Sequence, residues 1–336
     1  MAVLVTGGAG FIGSHATVEL LENDYKVVVV DNLSNSQLAS INRIKEMTGK
    51  EFAFHQVDLL DHEALDTVFS QYDISAVMHF AGYKAVGQSV QMPLSYYNNN
   101  ISGTLTLCEV MLKHKVEKLV FSSSATVYGH PERVPIEESF VLSATNPYGR
   151  TKLMIEEILQ DLAVSNPSFR IAILRYFNPI GAHPSGKLGE DPRGIPSNLI
   201  PFITQVAIGK RQELQVFGGD YDTDDGTGVR DYIHIMDLVK GHIKALEYLE
   251  EHDGVETFNL GTGTGYSVLD IVHNFNEVTG KKIPYQITDR RPGDIGVCYA
   301  NPEKAKNLLG WQAEKSLKEM CRDSWNWQIQ NPEGFH

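Results

Sequence analysis

The sequence predicts an α/β fold, a doubly wound parallel sheet carrying a smaller C-terminal α/β lobe. Three observations carry that prediction. Short apolar runs alternate with helix-like segments through the first half of the chain. One of them, Lys26 to Val30, is continuous and β-branched up to Asp31, the pattern of a central parallel strand buried on both faces. The third is the string Gly7-Gly8-Ala9-Gly10-Phe11-Ile12-Gly13, set between a strand and a helix.

Taken in order, Val3 to Val5 is a strand and Ile12 to Asn23 a helix. Further strands are expected at 51–57, 76–80, 118–122 and 170–174, with helices between them near 61–71, 97–113 and 148–165. Beyond Phe177 the texture changes. Residues 178–230 are rich in Gly, Pro and Asp, and only 199–208 reads as a helix there. A helix over 233–250 and a strand over 257–260 follow, then helices near 268–278 and 301–309. The expected division is a first domain, 1–177, and a second unit, 178–336, of which about 231–262 packs back on the first sheet.

Composition narrows the function classes. The chain has 336 residues, 42% of them apolar, enough for a sizeable core. Its 29 Lys+Arg against 42 Asp+Glu give a net charge of -13, which disfavours nucleic acid or an anionic membrane as partner. A phosphorylated small molecule remains compatible, since a few placed arginines suffice for it. Cys108, Cys298 and Cys321 lie far apart, so neither a disulfide framework nor a metal site is expected. The N-terminus lacks a basic region before its apolar run, and no apolar stretch approaches the roughly 20 residues of a membrane span. A cytoplasmic protein is expected.

Three motifs carry chemistry. In the glycine string, Gly7 permits a tight turn, Gly10 lets a pyrophosphate approach the backbone, and Gly13 allows close helix–strand packing. The spacing is GxxGxxG, and glycines alone are a weak signal. Asp31 strengthens it, ending the next strand 18 residues after Gly13, where a carboxylate binds the adenine ribose hydroxyls. No arginine lies between Asp31 and Asn42 to receive a 2′-phosphate, which points to NAD over NADP. The second motif is Tyr148-Gly149-Arg150-Thr151-Lys152, whose spacing of four puts tyrosine and lysine on one helix face. Such a pair is common on helix surfaces. The third, Ser122-Ser123-Ser124, changes its weight, because it follows a strand at the carboxyl end where doubly wound sheets bind ligands. To act as a base near neutrality, a phenol of pKa about 10 must fall by roughly three units, about 4 kcal/mol. An exposed lysine supplies about 0.2–1 kcal/mol, so Lys152 is expected to lower Tyr148 from a shielded site, aided by the nicotinamide charge.

Together these motifs resemble the extended short-chain dehydrogenase/reductase superfamily, whose sheet is of Rossmann type. Within it the chain resembles the UDP-glucose (UDP-galactose) 4-epimerase family nearly end to end. The resemblance runs through Ser122–Gly129, His79–Gly87, Arg175–Pro179, Gly226–Tyr232 and Arg290–Asp294. It implies NAD contacts at Gly7, Gly10, Phe11, Ile12, Gly13, Asp31, Asn32, Asp58, Leu59, Phe80, Ala81, Gly82, Lys84, Asn99, Ser122, Tyr148, Lys152 and Phe177. Tyr148 matches the base, Lys152 the residue that binds the nicotinamide ribose and tunes the base, and Ser124 the hydroxyl that assists proton transfer. Ser124, Asn178, Asn198, Leu199, Phe217, Arg230, Arg291, Asp294 and Cys298 match positions that hold the UDP-hexose.

The reaction so implied is C4 epimerisation of UDP-galactose and UDP-glucose through a transient 4-keto sugar, with NAD kept bound and the chain paired as a homodimer. Related 4,6-dehydratases place an acidic pair after the serine run; here that stretch is Ala125-Thr126. A UDP-glucuronate epimerase would recognise a substrate carboxylate, a preference the sequence does not show. A non-catalytic NAD-sensing regulator would typically lose the tyrosine–lysine pair, which this chain keeps. Family members that exclude N-acetyl groups carry a bulky tyrosine where this chain has Cys298, so UDP-N-acetylhexosamines are expected as additional substrates.

Overall fold

The computed structural model describes residues 1–191, 194, 196, 198–291 and 293–335. Seven parallel strands form the main sheet: β1 (Ala2–Thr6), β2 (Val27–Asp31), β3 (Ala53–Gln56), β4 (Ile74–His79), β5 (Lys118–Ser124), β6 (Arg170–Tyr176) and, much later in the chain, Gly254–Leu260. From one edge the order is Gly254–Leu260, β6, β5, β4, β1, β2, β3. Winding reverses between β1 and β4, and the crevice at such a point is where open α/β sheets bind ligands.

Each central strand feeds two cores, because successive side chains point to opposite faces. Val3, Val5, Val27 and Val29 pack in one core with the helices Phe11–Glu22 and Ile235–Tyr248. Leu4, Val28 and Val30 pack in the other, beneath the helices His62–Gln71, Gly103–His114 and Pro147–Ser165. The helix Ile235–Tyr248 lies against β5 and β6, so this later stretch of chain does cover the main sheet.

The second lobe is built on strands too short to stand out in sequence. In chain order they are β7 (Asn178–Ile180), β8 (Leu214–Phe217) and β9 (Val229–His234). The seventh main-sheet strand is β10, followed by β11 (Gly265–Ser267), β12 (Tyr285–Thr288) and β13 (Val297–Cys298). β9 pairs with β7, β11 and β13, and β8 pairs with β12. The helix expected near 199–208 is present as Leu199–Ala207, but the short strands β7 and β8 beside it were not anticipated: strands of three to four residues gain their stability from partners, not from propensity. Likewise, residues 233–234 belong to β9 instead of opening the next helix. The long helix expected at 97–113 is interrupted by a π turn at Asn98–Ser102 between Pro93–Tyr97 and Gly103–His114. The helices Leu38–Thr48, Val86–Gln91 and Leu317–Gln330 were not anticipated, although Ser316 and Glu319 form a capping box at the start of the last.

Candidate active site

The glycine turn follows β1 and opens the helix Phe11–Glu22. Gly7 has φ +70°, and a Cβ there would lie 2.7 Å from the Ala81 amide nitrogen. A Cβ on Gly13 would lie 2.3 Å from the Gly7 carbonyl oxygen, so close packing also demands its absence. Asp31, at the end of β2, turns its carboxylate into this loop: it accepts from the Ala9 amide (3.0 Å), the Leu33 amide (2.9 Å) and the Ser36 hydroxyl (2.7 Å). The cleft beyond is lined by Gly7, Gly10–Gly13, Asp31, Asn32, Asp58, Leu59, Phe80–Gly82, Lys84, Asn99, Tyr148 and Lys152. Sixteen of the expected cofactor positions thus converge on one cleft from six separate stretches of chain. Arg43, the first arginine after Asp31, points elsewhere, bonding the Lys187 carbonyl and Asn331.

Two expected cofactor positions do not line the cleft. Ser122 stands behind Lys152: its carbonyl accepts from the lysine Nζ at 2.7 Å, while its hydroxyl donates to Tyr176. Phe177 is buried with Tyr128, Ile136 and Cys298.

Asn146 and Pro147 begin the catalytic helix. The asparagine side chain accepts from the Gly149 amide at 2.8 Å, and proline at the first position needs no amide partner. Tyr148 therefore falls in the first turn, at the carboxyl ends of β5 and β6, and Lys152 one turn later. Both are buried, at 6% and 5% exposure. The Ser124 hydroxyl accepts from the amide and hydroxyl of Thr126 (3.2 and 3.0 Å) and is close enough to the Tyr148 phenol to oppose its upward shift.

The electrostatics of the cofactor-free site are dominated by burial. Burial pushes the Tyr148 phenol well above its ordinary range, with Tyr176 adding to it and only Ser124 opposing. Burial also lowers the Lys152 ammonium to about 8, against which the Glu156 carboxylate pulls it up. Lys152 thus does not by itself make Tyr148 a base, because desolvation acts on both groups and favours both neutral forms. The protein alone holds the tyrosine protonated.

Several contributors were missed by sequence reasoning. Asn100, in the π turn, accepts from the Tyr83 amide (2.8 Å) and donates to Thr151 (3.0 Å), tying the cleft wall to the catalytic helix. The triplet Asn98-Asn99-Asn100 was the available signal, and π turns recur at functional sites. Tyr176 and Glu190 also line the cleft. Glu190 accepts from Lys84 at 2.8 Å and from Asn198 at 2.7 Å. Burial alone would lower the Lys84 ammonium; the Glu190 carboxylate outweighs it and holds the group above its ordinary value.

The expected substrate residues lie on the second lobe and at its junction. Arg230 and Cys298 are register partners on β9 and β13. Arg291 pairs with Asp294 at 2.9 Å and lies 4.9 Å over the Phe217 ring. Asn178 begins β7, and Asn198 and Leu199 stand at the start of the helix Leu199–Ala207. Tyr221, also unanticipated, is buried beside Arg230, Arg290 and Arg291, its hydroxyl without a partner. Three arginines thus gather around Tyr221, two of them paired with Asp220 and Asp294. Among the described residues no group of three metal-ligating side chains occurs, and no helix is long and apolar enough to cross a membrane.

A glycine-cradled cleft over a parallel sheet, with a buried tyrosine and lysine at its edge, defines an NAD-dependent enzyme of the extended short-chain dehydrogenase/reductase class. Residues 4–324 match the family described as GDP-mannose 4,6 dehydratase. The UDP-glucose 4-epimerase of Bacillus subtilis (strain 168) is 61% identical over 335 residues, covering 100% of this chain and 99% of that protein. The crystal structure of UDP-glucose 4-epimerase from Bifidobacterium longum in complex with NAD+ and UDP has a TM-score of 0.97, with 51% identity and 100% of both chains covered. The enzyme from Stenotrophomonas maltophila, with bound NAD and formylated UDP-arabinopyranose, matches at 0.97 and 49% identity, with 99% of each chain covered. The chain belongs to the UDP-glucose 4-epimerase family, and its cofactor is NAD.

Proposed function

We propose that the chain interconverts UDP-galactose and UDP-glucose by removing and restoring hydrogen at C4 of the hexose. Bound NAD supplies a hydride acceptor and donor and a positive charge beside the tyrosine. Tyr148 takes the O4 proton as the hydride leaves C4, and returns it when the 4-keto sugar is reduced on its other face. Ser124 bonds the same oxygen and assists the transfer; Lys152 holds the ribose side of the cofactor. The observation that carries this reading is the burial of Tyr148 and Lys152 in the wall of the sheet's ligand crevice, with Ser124 buried beside the phenol at the end of β5. A phenol held protonated by burial becomes a base only when positive charge arrives. The positive nicotinamide of bound NAD would supply such a charge and favour the Tyr148 phenolate.

The arginines Arg230 and Arg291, with Asn178, Asn198, Leu199, Phe217 and Asp294, would hold the UDP moiety. Firm binding through the nucleotide leaves the hexose free to turn over while the 4-keto sugar stays captive. The dehydratase activity named for the matching family model is disfavoured, because the turn after Ser124 is Ala125–Tyr128 and carries no carboxylate. Residues 1–177 are taken as the NAD-binding domain and 178–336 as mainly the UDP-sugar lobe. Three buried free thiols, Cys108, Cys298 and Cys321, support a reducing, cytoplasmic location.

The test is incubation of purified protein with UDP-galactose and no added NAD, followed by chromatography. UDP-glucose is the expected product. A stable 4-keto-6-deoxy product, or silence even with NAD added, overturns the assignment. A second reading concerns range: Cys298 is a small side chain beside Arg230, so UDP-N-acetylgalactosamine is expected to react as well. Cys298→Tyr should lower that activity at least about 100-fold while UDP-galactose still turns over, a contrast of about 3 kcal/mol. Absence of N-acetylhexosamine turnover in the parent protein would end this reading.

A further inference from the structure

We propose that the segment 331–335 is a strap across the adenosine end of the cofactor cleft, fastened by Asp191, and that it slows release of NAD. This rests on the reading that the adenine ribose lies at Asp31. Phe335 and Asp191 line the same cleft as Asp31, as does Gln37, which follows the Asp31 turn. One oxygen of Asp191, Oδ2, accepts from the Gln37 amide nitrogen Nε2 at 2.7 Å and from the Phe335 backbone amide at 2.8 Å. A single carboxylate therefore joins three stretches of chain, 154 and 144 residues apart in sequence.

The strap is held flat and held down. Gly334 has φ +85°, and a Cβ there would lie 2.4 Å from Asp191 Oδ2, so the backbone runs directly over the carboxylate. Phe335 is 7% exposed and packs against Trp327 at a centroid separation of 4.8 Å. Arg43 lies over both rings, 5.5 Å from Trp327 and 5.0 Å from Phe335, and bonds Asn331. The helix that follows the ribose-binding turn and the far end of the chain are thus clamped to each other across the cleft mouth. An enzyme with no net redox change has no use for cofactor exchange, and a mechanical closure of this kind lengthens residence by raising the barrier to exit.

The experiment measures bound NAD per chain in the purified protein, then its loss with time after desalting into NAD-free buffer. Phe335→Ala and Asp191→Ala should release NAD at least about tenfold faster than the parent, about 1.4 kcal/mol in barrier. Phe335→Tyr, which keeps the ring, should retain the parent rate; a general loss of fold would not spare it. Gln37→Ala removes one strut at a half-exposed position and should release at least threefold faster, deciding the matter if Asp191→Ala fails to fold. Release within twofold of the parent in every folded variant overturns the strap alone. A parent protein that neither carries nor binds NAD overturns the strap together with the cofactor reading beneath it.

Discussion

Tyr148 and Lys152 sit four residues apart, and burial drives both toward neutrality. Replacing Tyr148 by Phe leaves the ring and removes the proton-carrying oxygen, so turnover of UDP-galactose should fall by about 10²–10⁴, the usual worth of a positioned acid–base group. A steady-state assay checks this, with turnover within threefold of the parent speaking against Tyr148 as the base. Lys152 makes a pH prediction with a defined sign. Its ammonium titrates at about 8 in the cofactor-free fold, below the ordinary 10.5. Below pH 8 folded and unfolded chains both hold the proton, and the fold carries the full cost of the buried charge. Between 8 and 10.5 the unfolded chain binds more protons, so stability from this group rises with pH. Relative to Lys152→Met, the NAD-free parent should therefore gain in urea midpoint across that window. A constant difference would refute the shift.

At the scale of elements, the catalytic helix is fixed to the sheet by a buried ion pair. Glu156, one turn beyond Lys152, accepts from both Nε and Nη2 of Arg175 on β6, the shortest contact being 2.6 Å, and from the Ser123 hydroxyl on β5. Arg175 continues to the Tyr128 hydroxyl at 3.0 Å, which donates to Asn259 on β10. Burial would lower the Arg175 guanidinium, and the Glu156 carboxylate more than compensates. Glu156→Ala leaves a cation 4% exposed without its counter-charge, a loss of about 3–5 kcal/mol on unfolding by denaturant. A loss below 1 kcal/mol would mean that water reaches the site. Because Glu156 also raises Lys152, the same pair sets both the helix position and the charge beside Tyr148.

For the molecule as a whole, the open question is association. Of the apolar residues on the catalytic helix, Ile155 and Leu159 are consumed by the core and Leu153, Ile158 and Leu162 are half-buried. Met154 (37%) and Val164 (83%) stay exposed there, with Leu105 (41%) and Leu112 (39%) on the helix Gly103–His114. These support the expected homodimer through the two helices. Sedimentation should find the parent at twice the chain mass and Met154→Glu at the single-chain mass; a monomeric parent would remove the proposal.

How much of this was legible in the sequence depended on how local its cause was. Gly7 and Gly13 were legible because the positive φ of the first and the contact of the second with the Gly7 carbonyl are set within a few residues, and Asp31 because strand ends follow from periodicity. The seven-stranded sheet was visible for the same reason: buried parallel strands need continuous apolar runs. The short strands β7, β8, β11 and β13 were not, since pairing partners far along the chain stabilise them. Nor was the direction of the Tyr148 shift, because desolvation sums over every segment that closes on the group. By itself the sequence determined the glycine cradle and the apolar runs of the main sheet, and it singled out the tyrosine, lysine and serine proposed to react. Only the tertiary structure decided which distant residues meet at Asp191 and Glu190, and that burial raises the Tyr148 phenol, since burial and contact across more than a hundred residues have no local signature.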